Sequence, residues 1–425
     1  MSDSLRIKSV SVKGLFNQFD HHIDFNQEER ITILHGINGV GKTTLLRMVN
    51  NLFNFRIYNF NEIPFVSFTV SLSNKSQIVV TKRRRKDRNT IDITIDGEKL
   101  NFNTQNIEKF IQHMHWVDRI DDDIFYDRRI ETASSLEAII DRYEDHFPDE
   151  FVSKKTEVLS KLGNIPIQFI EASRLLCTEK RGDSFRDREI ITHTHTVKIY
   201  ASELQKRITH AMADYAKKTQ ELEQTFPFRL LKTSESYTDE ELKKHIEALQ
   251  GKRNELRSIG LLPETDLAPM NTKSIDALES RHAEVMNLYV KDSEEKLDVL
   301  ESLSKKIKLL LKIINDKFQG KKLHIDEKKG LIILGKDGEI DLTLLSSGEQ
   351  HELVMFYDLI FKVEPNTLIM IDEPELSLHV TWQNKFIDEL KQIVEQSKFD
   401  VLIATHSATI VGNNSHLMVG LGVAE

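Results

Sequence analysis

The chain has 425 residues, a formal net charge of −9, and a composition that is 39% hydrophobic and 29% charged. This balance is typical of a soluble protein with material for one large domain or for two to three of ordinary size. It excludes a surface that is cationic throughout, so nucleic acid would have to meet a local basic patch.

The cysteine content and the apolar runs predict the compartment. Cys177 is the only cysteine, which excludes an internal disulfide and favours a reducing environment. Residues 1–13 lack the apolar core of a signal peptide, and the most apolar helical run, 307–314, is far shorter than the roughly 20 residues that span a bilayer. The sequence therefore predicts a cytoplasmic protein without membrane contact.

The N-terminal part of the chain predicts strands that lead into a glycine-rich loop. Residues 5–34 are predicted to form two strands around a turn, because 5–16 alternates and 30–36 is a compact apolar run. After the loop, apolar residues recur at helical spacing from Leu45 onward, which predicts a helix.

An antiparallel meander is predicted behind this helix. Three alternating runs follow one another, and the pair Asp96-Gly97 is a turn signal within the last run. Residues 102–162 indicate broken, acidic helices, and 164–176 again indicates a buried strand. The three alternating runs are 65–73, 77–86 and 90–100.

The middle of the chain predicts a helical arm. Residues 201–224 place apolar side chains on one helical face, and Thr238 with Glu241 forms a capping box before a second amphipathic stretch. A third stretch, 274–318, would be on the order of 65 Å long as a single helix. The predicted domains are 1–196, a coiled-coil insertion at 197–320, and 321–425.

Strands and helices alternate again after the arm, and the two most apolar strands are of the kind buried in a parallel sheet. This order predicts an α/β protein whose head is split by the insertion. The predicted elements are strands from 321 with a hairpin at Asp337-Gly338, a helix over 348–361, strands at 367–375 and 401–407, and a helix over 382–396.

The glycine-rich loop matches the pattern GxxxxGK[ST] over 36–43. Its glycines let consecutive backbone N–H groups point into one concavity, and the positive end of the following helix adds to the attraction for phosphate. Lys42 would reach the β- and γ-phosphates of ATP, and the Thr43 hydroxyl would bind Mg²⁺. The predicted nucleotide-binding residues are Gly36, Asn38, Gly39, Gly41, Lys42, Thr43 and Thr44.

A second motif ends an apolar strand with Asp372 and Glu373. Two carboxylates at the tip of a buried strand are costly unless they act on a ligand. Asp372 is therefore predicted to hold the Mg²⁺ shell together with Thr43, and Glu373 to polarise the attacking water as a general base. The two motifs together predict an Mg²⁺-dependent ATPase.

The run LSSGEQ at 345–350 decides among classes of ATPase. Its place just before the strand with Asp and Glu resembles the signature of the ATP-binding-cassette (ABC) superfamily. The resemblance implies that Ser346 and Gly348, at a predicted helix N-terminus, contact the γ-phosphate held by the P-loop of a second copy. It also implies that His406 is the switch histidine at the γ-phosphate and that 375–379 is the D-loop.

The signature differs from that of transporters, because Ser347 and Glu349 replace a glycine and a glutamine. The phrases DEPELSLH and ATHS and the inserted arm resemble instead the branch that contains SMC, RecF and OLD proteins. That branch implies a P-loop head with a mixed sheet, a β meander and an inserted coiled coil. It also implies a Q-loop glutamine as a metal ligand, for which Gln168 is the candidate, and an adenine-stacking aromatic, either Phe16 or Phe19.

Within this branch, GLFNQFDHHIDF, ITILHGINGVGKTTLL and the short arm resemble the ATPase subunits of antiphage defence systems such as PARIS and Septu. OLD nucleases carry a metal-binding TOPRIM domain after the switch histidine, whereas residues 407–425 are too few for one. The resemblance therefore implies self-association through ATP-bound heads and a separate effector, a TOPRIM or other nuclease, as partner.

Two functions of different class stay open. In the first, the chain is an ATP-gated sensor and scaffold that controls such an effector. In the second, it is a RecF-like DNA-maintenance ATPase whose basic run Lys82–Lys86, with Arg88, contacts DNA phosphates. The same run is also typical of a solvated strand end that protects a sheet edge. Arg181, Arg186 and Arg188 form a weaker basic cluster among acidic residues.

Overall fold

A computed structural model of the chain shows two compact units, one formed by 1–173 with 363–425 and the other by 174–362. The structure describes residues 5–85, 88–100, 114–120, 124–130, 132–135, 139, 142–143, 163, 165–171, 196–232, 237–263, 280–376 and 378–422.

In the described part of the chain, the strands are β1 (Ile7–Leu15), β2 (Phe19–Asp24), β3 (Ile31–His35), β4 (Ser67–Leu72), β5 (Gln77–Arg85), β6 (Arg88–Ile95), β7 (Glu98–Leu100), β8 (Val117–Arg119), β9 (Ile124–Asp127), β10 (Thr132–Ser135), β11 (Ile167–Glu171), β12 (Lys321–Asp326), β13 (Gly330–Gly335), β14 (Gly338–Ile340), β15 (Leu368–Asp372), β16 (Asp400–Thr405) and β17 (Met418–Gly420). The helices are α1 (Lys42–Phe53), α2 (Thr196–Leu230), α3 (Asp239–Ser258), α4 (Ser280–Asn315), α5 (Ser347–Tyr357), α6 (Val380–Gln383), α7 (Phe386–Ser397) and α8 (Ala408–Val411).

The first unit contains a parallel sheet whose described strands stand in the order β11-β15-β16-β3-β17. The central residues of β15 and β16 are apolar because both faces of these strands are covered, and Ile369 and Leu402 are fully buried. Asp372, at the end of β15, is level with Glu171 on one side and Ala404 on the other. The carboxyl ends of these strands therefore form one edge, and the glycine-rich loop follows β3 at that edge.

A second sheet in this unit is antiparallel, with its described strands in the order β2-β1-β4-β5-β6-β7. The predicted meander is confirmed in β4 to β7, and Asp96 and Gly97 form the tight turn with φ of +49° and +86°. Helix α1 packs between the two sheets, since one buried cluster joins its Leu45 to Phe68 of β4 and Leu402 of β16.

The prediction of two strands over 5–34 is wrong, because a third strand, β2, pairs with β1. The burial of FDHHID alternates as it does in a strand, but the run is short and its central inward residue is His21, so its apolar pattern alone did not predict a strand. Phe16 and Asn17, with φ of +53° and +59°, reverse the chain between β1 and β2.

The prediction of helices over 102–162 is wrong for the described part at 117–135, which forms the antiparallel strands β8 to β10. Asp127 is fully buried there and accepts hydrogen bonds from Arg142 and Tyr143, both at 2.8 Å. A buried charge, rather than apolar periodicity, anchors this segment. The predictions for Cys177 and for the cluster of Arg181, Arg186 and Arg188 lie outside the described residues.

The second unit contains the predicted helical arm. Helices α2 and α3 both pack against α4. Charged side chains join the helices, as in the ion pair between Lys218 and Glu295 at 3.1 Å. Thr238 caps α3 and Glu241 completes the capping box, as predicted. The α/β class with an inserted helical arm is therefore confirmed.

Strands β12 to β14 and helix α5 also belong to this unit. Lys317, just beyond α4, and Glu352 of α5 form an ion pair at 3.3 Å in which both side chains are fully buried. The predicted boundary between 320 and 321 thus runs through one compact unit. Helix α5 ends earlier than predicted, because Asp358–Lys362 forms a π-helical turn.

Candidate functional site

The glycine-rich loop connects β3 to α1 at the carboxyl edge of the parallel sheet. Gly39 and Gly41 have φ of +89° and +93°, a backbone conformation that residues with a Cβ rarely adopt. A Cβ on Gly41 would also lie 2.5 Å from Cδ2 of Leu15. The loop therefore has the tight curl that a phosphate cradle requires. Gly36, Asn38, Gly39 and Gly41 lie in the loop, and Lys42, Thr43 and Thr44 begin α1.

The Lys42 side chain spans this loop. The residue is 6% exposed, and its Nζ donates to the carbonyl oxygens of Gly36 at 2.7 Å and Ile37 at 3.1 Å. A buried ammonium needs such acceptors. Charged phosphate oxygens are stronger acceptors than neutral carbonyls, so this ammonium is available for exchange onto a phosphate.

Thr43 of α1 and Asp372 of β15 meet although they are far apart in the sequence. The Thr43 hydroxyl donates to Oδ1 of Asp372 at 3.1 Å. A hydroxyl and a carboxylate oxygen are hard ligands of the kind that Mg²⁺ takes, with its remaining positions filled by water and substrate phosphates. This donor set fits an Mg²⁺ ion held by Thr43 and Asp372.

Glu373 leaves the sheet edge with a left-handed backbone, φ +46°. Its N–H donates to the carbonyl oxygen of Ala404 at 2.9 Å. A non-glycine residue in this conformation is strained, and such strain often occurs at functional sites. The Glu373 side chain is 33% exposed, so water can reach its carboxylate.

His406 follows β16 and lies beside two carboxylates. Its Nδ1 is 2.9 Å from Oε1 of Glu375 and 4.0 Å from Oε1 of Glu373. The structure thus brings Glu373 and His406, predicted separately as general base and switch histidine, to one place.

Glu375 was assigned no role of its own by the sequence. Its side chain is 7% exposed. Oε1 also accepts the backbone N–H of His406 at 3.0 Å, and Oε2 accepts the Thr405 hydroxyl at 2.8 Å. A third acidic residue directly behind an apolar strand was the signal for this position.

His21 of β2 is a second residue that sequence reasoning missed. It is 5% exposed, its Nε2 is 2.8 Å from the carbonyl oxygen of Val40 in the glycine-rich loop, and its ring stacks on Phe19. With Nε2 protonated, the ring donates to that carbonyl and supports the loop. The contact could not be foreseen because β2 itself was not predicted.

The two candidates for adenine stacking differ in their surroundings. Phe19 is stacked on His21, with ring centroids 5.7 Å apart. Phe16 is 37% exposed, and its Cε2 would lie 3.3 Å from a Cβ built on Gly41. Phe16 is therefore the aromatic ring that is open to solvent beside the loop.

In the second unit, Ser346 caps the N-terminus of α5 and Gly348 is the second residue of the helix. The Glu349 carboxylate accepts the N–H and the hydroxyl of Ser346 at 2.9 and 2.8 Å, and Lys321 donates to the same oxygen at 2.8 Å. Burial would raise the pKa of Glu349, but the hydrogen bonds from Lys321 and Ser346 outweigh it and lower that pKa. A side-chain anion thus occupies the helix end at which a phosphate was predicted.

Gln168 lies inside β11, level with Ile369, whereas Glu171 is level with Asp372. Three residues of a strand span about 10 Å, so Gln168 is that far along β11 from the carboxyl edge. This position does not favour Gln168 as a ligand of a metal held beside Asp372.

The prediction that the basic run Lys82–Lys86 contacts DNA phosphates is not supported for its first residue. Lys82 Nζ donates to the carbonyl oxygens of Asn61 at 2.5 Å and Ile63 at 2.9 Å, and burial lowers its pKa. Its charge therefore supports the fold and does not face a nucleic acid. Arg83 is exposed and lies 3.4 Å from Asp92. The side chains of Arg84, Arg85, Lys86 and Arg88 lie outside the described residues.

The chain belongs to the AAA ATPase domain family, whose pattern it matches over residues 6–411. Membership in this family makes it a nucleotide-binding ATPase. Among curated proteins, no relative matches the chain. No described helix is long and apolar enough to cross a membrane.

Solved structures with a similar course of the chain include SMC heads. The Smc head domain of Pyrococcus furiosus with an extended coiled coil, bound to the C-terminal domain of ScpA, is 13% identical, with 99% of this chain and 94% of that chain covered and a TM-score of 0.43. The SMC head domain of Thermotoga maritima is 13% identical, with 99% and 96% covered and a TM-score of 0.37.

Proposed function

We propose that the chain is an Mg²⁺-dependent ATP hydrolase that closes in pairs on ATP, and that it acts as a sensor and scaffold for a separate effector. The contact of Thr43 with Asp372 at 3.1 Å, next to Glu373 and His406, is the observation that carries the proposal. It unites a metal-ligand pair, a carboxylate open to water and a histidine at one strand edge.

The residues of this edge have separate tasks. The loop amides and Lys42 bind the β- and γ-phosphates, and Thr43 and Asp372 hold Mg²⁺. When bound, Mg²⁺ neutralises charge on the phosphate oxygens. Glu373 orients the attacking water and accepts its proton, and His406 contacts the γ-phosphate, which fixes the reacting geometry.

The proposed self-association assigns a function to α5, the signature helix, which begins within the run 345–350. Ser346 and Gly348 would bind the γ-phosphate held by the P-loop of a second copy, as the resemblance to ABC ATPases implies. Large apolar side chains exposed in the P-loop, next to the signature and in the D-loop region are consistent with surfaces that become covered. These residues are Ile37, Leu344, Leu376 and Val380.

The role as the ATPase of an antiphage defence system rests on the resemblance of the N-terminal and P-loop runs to such ATPases. The alternative, a RecF- or SMC-like ATPase of DNA maintenance, rests on the basic run of β5. That run is weaker than its sequence suggests, since Lys82 is turned inward and Arg83 is paired with Asp92. We therefore favour an effector protein, nuclease-like in class, over DNA as the main partner.

A Glu373→Gln variant tests the proposal. Its release of phosphate from ATP and Mg²⁺ should be slower by about 100-fold or more, because a positioned general base contributes that much, while ATP binding is kept. Glu395→Gln, a change of an exposed glutamate on α7, is the matched control. Hydrolysis by Glu373→Gln at the wild-type rate would remove Glu373 from this role.

The Glu373→Gln variant also tests the biological role. It is purified in the presence of ATP from cells that also carry the gene next to the one encoding this chain, and the proteins and DNA bound to it are identified. A stoichiometric nuclease-like protein in the recovered complex supports the sensor and scaffold. Recovery of DNA without a protein partner contradicts it and favours the maintenance ATPase.

A further inference from the structure

Glu375 has an environment that no other histidine-bound carboxylate in the described chain shares. The carboxylates beside His22, His210, His245 and His416 are 73%, 54%, 31% and 37% exposed, and Glu373, the second carboxylate near His406, is 33% exposed, whereas Glu375 is 7% exposed. A carboxylate that is removed from water in this way requires compensating donors.

Those donors come from the segment that carries the switch histidine. Oε1 of Glu375 accepts the backbone N–H of His406 at 3.0 Å and faces its Nδ1 at 2.9 Å, and Oε2 accepts the Thr405 hydroxyl at 2.8 Å. Both carboxylate oxygens are therefore used on two successive residues. The contact fixes the ring of His406 as well as the backbone that holds it.

A second link joins the same two segments. Gln383 Nε2 donates to the carbonyl oxygens of Glu375 at 3.4 Å and Leu378 at 3.3 Å, and Gln383 Oε1 accepts the Ser407 hydroxyl at 3.1 Å. The turn after Glu373 and the turn after β16 are thus held as one body.

The contact at Nδ1 decides which nitrogen of the ring can act. A carboxylate is an acceptor only, so Nδ1 must carry the proton that lies between it and Glu375. In the neutral ring, Nε2 then carries the lone pair, and it is the ring nitrogen left for the nucleotide side.

We propose that Glu375 is a positioning residue for ATP hydrolysis. Its carboxylate accepts Nδ1–H of His406, holds the ring in one orientation and one tautomer, and so presents Nε2 to the nucleotide. This inference rests on the proposed function, in which His406 contacts the γ-phosphate. It adds the group that orients the His406 ring for its contact with the γ-phosphate.

The test compares Glu375→Ala, Glu375→Gln, His406→Ala and the double variant Glu375→Ala/His406→Ala, with Glu395→Ala as the matched control. Glu375→Ala should lower kcat by about 10- to 100-fold, the range that applies when a carboxylate that orients a metal-bound histidine is removed, and leave ATP affinity unchanged. Glu375→Gln should recover part of the rate, since its amide oxygen can accept both N–H groups of His406 and its NH₂ can donate to Thr405.

The double variant separates positioning from a general structural role. If Glu375 acts through His406, the double variant should be no slower than His406→Ala alone. The inference would be overturned if Glu375→Ala lowered kcat by the same factor in the His406→Ala background as in the wild type. It would also be overturned if ATP affinity and melting temperature fell together in both Glu375 variants. Glu375→Gln keeps the test decisive should Glu375→Ala fail to fold.

A spectroscopic readout does not depend on turnover. In protein labelled with ¹⁵N-histidine, the neutral His406 ring, assigned by its loss in His406→Ala, should carry its proton on Nδ1 in the wild type. In Glu375→Ala it should shift toward the Nε2–H tautomer. An unchanged tautomer contradicts the inference. Wild-type hydrolysis by Glu373→Gln would instead contradict the proposed function, so the two failures are distinguishable.

Discussion

The P-loop and the N-terminus of α5, the two places at which we propose that phosphate binds, hold their polar groups with different partners. In the P-loop, the Lys42 ammonium is bound by the neutral carbonyls of Gly36 and Ile37. At the start of α5, the N–H and hydroxyl of Ser346 are bound by the charged carboxylate of Glu349.

This difference in partners implies that the binding of ATP and the association of two copies have different requirements. When a phosphate replaces a carbonyl at Lys42, a charge-assisted contact replaces a weaker neutral one. When a phosphate meets Ser346, it must displace another anion that Lys321 also holds. On the proposed function, a single copy is therefore ready to bind ATP, whereas contact of α5 with a phosphate requires an exchange of anions.

Lys42→Ala should have the largest effect on this comparison. Without the ammonium, a phosphate loses its charged partner in a buried loop, so ATP affinity should fall by about 100-fold or more. Titration calorimetry measures the change, with Lys328→Ala, at an exposed lysine of the other unit, as control. ATP affinity near that of the wild type would show that the P-loop does not depend on Lys42.

Glu349→Gln should have a smaller effect than Lys42→Ala. It should strengthen the association of two copies, whereas Lys42→Ala weakens the binding of ATP. Glutamine can keep the capping box, but it removes the negative charge that competes with a phosphate. ATP-dependent self-association should therefore tighten by about 3- to 10-fold, the size of one surface charge at a helix end, while ATP binding to a single head is unchanged. Sedimentation over a range of protein concentrations measures it, and weaker association would contradict the exchange of anions.

Glu349 also predicts a pH dependence for the signature helix. Its pKa is lowered from the usual 4.5, so the folded state favours the carboxylate. The stabilisation is complete above pH 4.5 and is lost as the pH falls through the lowered value. Thermal unfolding should therefore lose stability below that pH more steeply in the wild type than in Glu349→Gln.

His21→Phe should have an effect on ATP affinity of about the same size as the effect of Glu349→Gln on self-association. Phenylalanine keeps the stacking on Phe19 but cannot donate to the Val40 carbonyl, so the loop loses one buried hydrogen bond worth about 1 kcal/mol. ATP affinity should fall by about 3- to 10-fold. His21→Gln, which can donate from a similar position, should restore much of it. Equal affinities in all three proteins would mean that the loop does not need His21.

Local patterns predicted the elements that are continuous in the chain. The glycine-rich loop, the apolar strand before Asp372 and the capping box at Thr238 are each specified by neighbouring residues, and the structure has the corresponding turn, strand and helix start. The meander followed from alternation in the same way.

Contacts between distant segments explain what the sequence did not predict. Glu375 contacts His406 because β15 and β16 pair, whereas His21 of the antiparallel sheet contacts Val40 in the loop after β3 of the parallel sheet. Lys82 is the exception, since it shares its strand face with the buried Ile78. The two-residue repeat of the strand predicts that the Lys82 side chain points inward, but the run was interpreted by its charge alone.

The most direct test of the central claim is sedimentation of Glu373→Gln protein with ATP and Mg²⁺. We predict a dimer that reverts to a monomer when EDTA removes Mg²⁺ or when Lys42→Ala is added. A monomer under all of these conditions, with ATP bound, would contradict the proposal that two copies close on ATP.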